Sequence, residues 1–297
     1  MKTAFRCGLL AIAACLPAVG EGAEEKAVVK GLVVMFTDYG ADSIYVGILK
    51  GAMYAKFPDV RIDSITNSVP PYDIQSGAYQ LAEACGSYPQ GTIFACVVDP
   101  GVGTERRCIA LRTKSGQTFV GPDNGLLTLV AQMFGVEEMR ECTNEAMWRS
   151  GSHTSTTFHG RDIFGPVAAS LAGGAKFEGV GPTMESMVTI DLPVSRIENG
   201  TALGGVMRTD WYGNVVTTVT LRNLTELGIK EGDSIAIELN GERFVAPLAR
   251  TYGAVPKGSR LVVVQSSGFI ECAINQGNLA DAAKAEPGQK VIMKKAK

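Results

Sequence analysis

The sequence predicts an α/β N-terminal domain, a mixed sheet with flanking helices, followed by an all-β C-terminal domain. Three observations carry that expectation. From Gly31 to about Pro182 short apolar runs alternate with amphipathic stretches, and after about Leu192 helical spacing stops and strand-like segments follow one another. Glycine is also in excess, 35 of 297 residues, where an average chain has about 7%. That excess follows no collagen period or low-complexity run, so it marks tight turns and places where backbone must approach a ligand closely.

The first 22 residues carry Lys2 and Arg6 ahead of an apolar stretch from Cys7 to about Val19, then small and acidic residues. This is a signal-peptide layout, short for a permanent span of a bilayer. Cleavage near Gly20 is one outcome; lipidation of Cys15 in the lipobox-like Ile12-Ala13-Ala14-Cys15 is the other. Either predicts a periplasmic or secreted protein, with a lipid anchor in the second case.

Within the α/β domain, 30–190, LVVMF reads as a buried strand and IYVGILKGAMYAKF as a helix packed on a sheet. SGAYQLAEACGSY reads as a helix and TIFACVV as the next strand. CIALRT and TFVG follow as strands joined by the turn Lys114-Ser115-Gly116, and GLLTLVAQMFG is a helix ended by Gly135. A linker falls near Asp191-Leu192-Pro193-Val194. The second domain, 197–297, strings together ALGGVMRTD, VVTTVTL, SIAIEL, RFVAPLA, RLVVVQSS, IECAIN and KVIMKK. Asn240-Gly241 between two of them is a strong hairpin signal.

A formal net charge of -2 leaves no electrostatic footprint for nucleic acid, and two histidines exclude poly-histidine metal centres. Beyond the leader, Cys85, Cys96, Cys108, Cys142 and Cys272 form no C-x-x-C pair, so neither a zinc site nor a disulfide framework is expected. Cys96 and Cys108 lie in apolar strands, where cysteine behaves as a small hydrophobe. Gly101-Val102-Gly103 lacks the third glycine of a dinucleotide fingerprint and precedes a strand, and no phosphate loop or G-x-S-x-G elbow occurs.

In an α/β sheet, ligands bind beyond the carboxyl ends of the strands. Two loops there carry charge among glycines: Thr37-Asp38-Tyr39-Gly40, and Asp99 through Arg107. Each aspartate also suits a turn cap, the plainer role for either alone. Thr157-Phe158-His159-Gly160-Arg161-Asp162 opens another apolar helix and sets His159 toward a pocket, although for an isolated histidine a structural role is the more common one. His153, in Ser-Gly-Ser-His-Thr-Ser, reads as a surface-loop residue. Asp210-Trp211-Tyr212-Gly213-Asn214 offers aromatic faces, a carboxylate and an amide suited to a flat heterocycle, and equally forms a tight turn.

Together these clusters resemble, in order and spacing, the S-adenosylmethionine (SAM) hydroxide adenosyltransferase family, relatives of the fluorinases and chlorinases. The shared segments are TDYGADSIYVGILKG, SVPPYDIQSGAYQL, GTIFACVVDPGVGTERR, FVGPDNGLL, TFHGRDIFGPVAASLA, DWYGNVVTT and SSGFIECAIN. They span nearly all of the chain after the leader.

The resemblance implies that the C-terminal domain is a small β-barrel and that the protein is a homotrimer, with SAM bound between one subunit's first domain and a neighbour's second. It further implies attack of hydroxide derived from water on C5′, giving adenosine and L-methionine without a metal or cofactor. The family's Asp-Arg-His set falls on Asp99, Arg106 and His159, its ribose carboxylate on Asp38 and an aromatic contact on Tyr72. Phe158 would line the ribose and the reacting carbon. Asp210, Asn214 and Ser266 would contact the methionine part and adenine.

Where the halogenases carry tyrosine this chain has Asp99, whose charge would repel halide, and Gly160 stands where the fluorinase has its halide-site serine. The fluorinase insertion is also absent between Arg107 and Phe119. Hydrolysis is therefore expected over halogenation. Asn67 replaces a histidine and Ser43 an acidic residue common in the family. The alternatives are an exported nucleoside- or SAM-binding protein without turnover, for which export away from the cytoplasmic source of SAM argues, and a SAM-dependent chlorinase.

Overall fold

The computed structural model describes residues 28–151 and 156–296. The leader, with its lipobox cysteine Cys15, and His153 lie outside them. Six strands form the first sheet: β1 (Leu32–Thr37), β2 (Arg61–Thr66), β3 (Ile93–Val97), β4 (Cys108–Thr113), β5 (Thr118–Pro122) and β6 (Val136–Glu141). Their order is β2-β1-β3-β5-β4-β6, with β1, β2, β3 and β5 parallel and β4 antiparallel to both its neighbours. The sheet is thus mixed, as the sequence predicts.

Helices α1 (Ile44–Lys56), α2 (Ile74–Cys85), α3 (Thr128–Phe134) and α4 (Gly165–Ala172) cover its two faces. Ser43 caps α1 by accepting from the Tyr45 N–H, and Asp73 caps α2 by accepting from that of Ser76. Leu81, Ala78 and Cys85 of α2 and Val130 of α3 bury one face of the sheet with Phe36, Phe94 and Phe119. Leu49 and Met53 of α1 and Val167 and Ala168 of α4 bury the other with Met35, Ala95 and Val120. Because alternate strand residues point to opposite faces, the all-apolar LVVMF run serves both cores.

Strands β2 and β6 belong to no segment that reads as a strand in the sequence. Both are sheet edges and carry charged residues, with Arg61 and Asp63 exposed in one and Glu137 exposed in the other. Polar edges discourage pairing with another chain and remove the apolar run that would mark a strand.

The second sheet is antiparallel throughout: β7 (Arg196–Glu198), β8 (Thr201–Thr209), β9 (Val215–Thr220), β10 (Ser234–Leu239), β11 (Glu242–Pro247), β12 (Arg260–Val264), β13 (Phe269–Ile274) and β14 (Lys290–Lys295). Seven run in the order β11-β10-β14-β8-β9-β13-β12, and β7 pairs with β8. A bridge between Leu248, just past β11, and Val262 of β12 nearly closes the sheet into a barrel around Val215, Ile235, Ile237, Val262 and Val291.

Asn240 (φ 49°) and Gly241 (φ 80°) turn β10 into β11 with Leu239 opposite Glu242, the geometry of a two-residue hairpin. One expectation is corrected: helices do not stop at Leu192. Two short ones, α5 (Leu221–Glu226) and α6 (Leu279–Ala283), sit among the barrel strands. Both are set by local capping, Thr220 with Asn223 in a capping box and Asn278 accepting from the Asp281 N–H. At five or six residues each, they are too short to show helical periodicity.

Candidate active site

Strand order explains why two aspartates far apart in sequence meet. The chain leaves β1 through α1 to reach β2 on one side, then returns through α2 to place β3 on the other side of β1. Between β1 and β3 the connections therefore diverge to opposite faces and open a crevice at the strand carboxyl ends. Asp38 follows β1 and Asp99 follows β3 by two residues, and the Asp38 N–H donates to the Val97 carbonyl at 3.2 Å.

From Asp99 the loop turns back sharply. Gly103 (φ 79°) holds a left-handed conformation, and a Cβ there would run into the Thr156 carbonyl. That turn brings Arg106 back onto Asp99 as a fork: Nε donates to Oδ1 at 2.8 Å and Nη2 to Oδ2 at 2.5 Å. The two side chains are 9% and 5% exposed. A bidentate pair this buried is strongly oriented, and deleting one partner strands the other charge at a cost of about 3–5 kcal/mol. Arg107 points elsewhere, its Nε donating to Asp123 at 2.8 Å, while Asn124 Nδ2 donates to the Val98 carbonyl at 2.8 Å. These contacts bind the GPDNG loop to the end of β3.

His159 completes the group. It precedes a π-helical turn, Gly160–Phe164, that runs into α4, and its Nδ1 lies 2.7 Å from Arg106 Nη2. A guanidinium only donates, so Nδ1 is the acceptor and the neutral ring carries its proton on Nε2. Burial and the Arg106 charge both hold the His159 pKa below its ordinary value, against the pull of Asp99 and Asp162. The sequence-derived trio is one hydrogen-bonded unit.

Asp38 sits beside it, half-buried. Burial raises its carboxyl above the ordinary value, partly offset by the Tyr72 N–H donating to Oδ2 at 3.0 Å; the Asp99 charge adds a smaller rise. Tyr72 holds a left-handed backbone (φ 67°) after Pro70-Pro71 and leaves its ring 73% exposed. Such a conformation costs a residue with a Cβ about 1–2 kcal/mol. Phe158 packs edge-on against Tyr39 and Tyr45 at 5.6 and 5.5 Å. Gly160 is buried, and a Cβ there would overlap the Tyr39 hydroxyl and sit 3.4 Å from Val97 Cγ2. A serine at 160 would require the Tyr39 hydroxyl to move.

Cys108 is not the small hydrophobe its apolar strand predicts. Its sulfur accepts from Arg106 Nη1 at 3.0 Å and lies 3.9 Å from His159 Nδ1. Burial raises its thiol pKa, against the Arg106 charge, so the sulfur acts as a soft acceptor. Nothing in the CIALRT strand signals this, because the contact depends on a side chain returning from the preceding loop. The two positions that depart from the family pattern have structural work. Asn67 accepts from the Thr37 hydroxyl at 3.0 Å, and Ser43 caps α1.

The C-terminal residues lie apart. In the β8–β9 turn, Asp210 Oδ1 accepts from the Tyr212 and Asn214 N–H groups at 2.9 Å each, and Oδ2 accepts from Asn214 Nδ2 at 2.9 Å. The turn is tightly closed, which spends part of the Asn214 amide internally and pushes Trp211 and Tyr212 outward, 96% and 75% exposed. Ser266 is exposed in the β12–β13 turn and lines a cavity of about 320 Å³ with Glu83, Arg250 and Gln265. Among the described residues, no hydrogen bond or ion pair joins Asp210, Asn214 or Ser266 to the Asp99 group in the same chain. A second cavity of about 320 Å³, between α2, α3 and the barrel, is lined by Tyr79, Leu129, Met207 and Phe269 and holds none of the sequence-derived site residues.

Comparison with known proteins matches residues 33–181 to the SAM hydroxide adenosyltransferase N-terminal domain and residues 204–292 to the C-terminal domain of the same family. The chain is 34% identical over 267 residues to the (R)-S-adenosyl-L-methionine hydrolase of Thermus thermophilus, covering 87% of this chain and 98% of the relative. It is 38% identical over 258 residues to that of Salinispora tropica, covering 86% and 94%. A fluorinase of Actinopolyspora mzabensis is more distant, 27% identical over 288 residues, covering 88% and 96%. Among solved structures, an uncharacterized conserved protein from Thermotoga maritima superposes with a TM-score of 0.85 at 35% identity, covering 89% of this chain and all of the other.

Proposed function

The chain belongs to the SAM hydroxide adenosyltransferase family, and on that premise we propose how its residues hydrolyse SAM to adenosine and L-methionine. The oxygen of water or hydroxide bonds to C5′ while the C5′–S pair returns to sulfur. The leaving group departs as a neutral thioether and needs no acid. With water as the nucleophile, the products carry one proton fewer than the reactants, so each turnover releases one proton. No cofactor enters this scheme.

The observation that carries the residue assignment is the half-buried Asp99–Arg106–His159 unit in the β1/β3 crevice beside Asp38. Asp99 and His159, both held by Arg106, present a carboxylate and a neutral imidazole N–H to one oxygen nucleophile. Such fixed groups contribute orientation and electrostatic stabilisation rather than covalent chemistry. Asp38 takes the ribose hydroxyls, and Phe158 and Tyr72 flank the sugar. Gly160 belongs to the same wall. The Asp99 charge disfavours halide at this position.

We further propose a homotrimer in which Asp210, Asn214 and Ser266 of one subunit complete the site of another, binding the methionine part and adenine. Support comes from the separation of the two groups within one chain and from the exposed rings of Tyr72, Trp211 and Tyr212 at both. Export to the periplasm or outside through the leader, with or without a lipid on Cys15, is the corresponding proposal for location.

The test is to incubate purified mature protein with SAM, with and without halide, and resolve adenosine, halogenated adenosine and unreacted substrate. Adenosine independent of halide is expected. Substrate retained without product would favour a binding protein, and a halide-dependent product a chlorinase. Asp99→Asn is expected to abolish adenosine formation while leaving SAM binding intact. Turnover near that of the wild type would remove Asp99 from the mechanism.

A further inference from the structure

Tyr39 follows Asp38 directly, and Gly160 follows His159 directly. The Tyr39 hydroxyl fills the space where a side chain at 160 would begin, so it lies directly against the residue that follows the imidazole, beside Val97. Its ring is fixed by edge-on contacts with Phe158 at 5.6 Å and Tyr45 at 6.0 Å. Among the described residues the hydroxyl itself has no hydrogen-bond partner, although the side chain is half-buried. A polar group held in place by packing rather than by a partner is left with its donor and acceptor free for something that enters the site.

Resting on the hydrolytic reading above, we propose that the Tyr39 hydroxyl is a further catalytic group that hydrogen-bonds the oxygen attacking C5′ and holds it in line. Burial and the charges of Asp38 and Asp99 raise the tyrosine's pKa far beyond the working range. It therefore stays a neutral hydroxyl, donating to or accepting from the nucleophile without taking its proton. The geometry also explains Gly160: any larger residue displaces the hydroxyl.

Tyr39→Phe keeps the ring contacts and removes only the oxygen. Its kcat is expected to fall about tenfold, the loss of one hydrogen bond in the transition state, with KM for SAM within about threefold of wild type. A kcat within about twofold of wild type overturns the proposal, as does a change confined to KM, which would make the hydroxyl a ribose contact. Gly160→Ala tests the packing of the hydroxyl against position 160 separately from its chemistry. In the Tyr39 background the new methyl is expected to lower both kcat and the melting temperature. In the Tyr39→Phe background it is expected to cost less of each, and equal losses in the two backgrounds overturn the packing argument. A wild type that makes no adenosine overturns the hydrolytic reading together with this inference; an active wild type with an unaffected Tyr39→Phe overturns this inference alone.

Discussion

His159 shows how a single side chain takes its state from its neighbours. Its Nδ1 accepts from an arginine that never gives up its proton, so protonating the ring breaks that bond and sets two cations side by side. The folded pKa lies below the unfolded one, so the neutral form persists to lower pH and its contribution is lost as pH falls through the folded value. The acid limb of kcat/KM is therefore expected below the ordinary histidine value of 6.5. A limb above that value would contradict the assignment. Cys108 tests the same network from the other side. Cys108→Val leaves Arg106 Nη1 with only its longer bond to the Arg107 carbonyl at 3.4 Å and is expected to lower kcat about tenfold with KM little changed. Cys108→Ser restores an acceptor and should recover much of the loss; equal defects in both would make the contact mere packing.

At the scale of elements, what was legible in the sequence is what repeats. The apolar runs of β1 and β3 and the amphipathic spacing of α1 and α2 announced themselves, because burial on a sheet demands those patterns. Edge strands β2 and β6 did not, since an edge strand is selected for polarity, and α5 and α6 were too short for periodicity to appear. The loop between β3 and β4 matters most for function, as it returns Arg106 to Asp99 through Gly103. Gly103→Ala forces a side chain into a left-handed turn and against the Thr156 carbonyl. It is expected to cost about 1–3 kcal/mol of stability and to reduce turnover more than SAM affinity, read by thermal melting and steady-state kinetics.

Across the whole molecule, sheet and barrel share a core. Met207 and Val216 of the barrel pack in the same cluster as α2 and α3, with Phe269 against its edge. Arg208 clamps Glu83 of α2 through Nε at 2.9 Å and Nη2 at 3.0 Å, and the Tyr79 hydroxyl donates to the Pro193 carbonyl at 3.1 Å. The two halves are therefore expected to unfold in one calorimetric transition, and two well-separated transitions would refute that coupling. The proposed shared site makes a second prediction. Asp99→Asn and Asp210→Ala proteins, each inactive alone, should regain activity when co-folded, because a mixed trimer contains sites with both wild-type residues. No recovery in verified mixed assemblies would place both residues in the site of a single chain.

The sequence by itself determined the class of each half, the sheet-forming runs, the glycine-rich loops and, through VVDPGVGT, FVGPDNG and TFHGRD, the family. Periodicity and turn chemistry are local and can be read along the chain. Only the tertiary structure decided that β1 and β3 lie side by side with connections on opposite faces, which sets Asp38 beside Asp99. It also brought Arg106, His159 and Cys108 within hydrogen-bonding reach and set the Tyr39 hydroxyl over Gly160. Those contacts span up to 121 positions, from Tyr39 to Gly160, and depend on strand order and loop return, neither of which is encoded in any short stretch of residues.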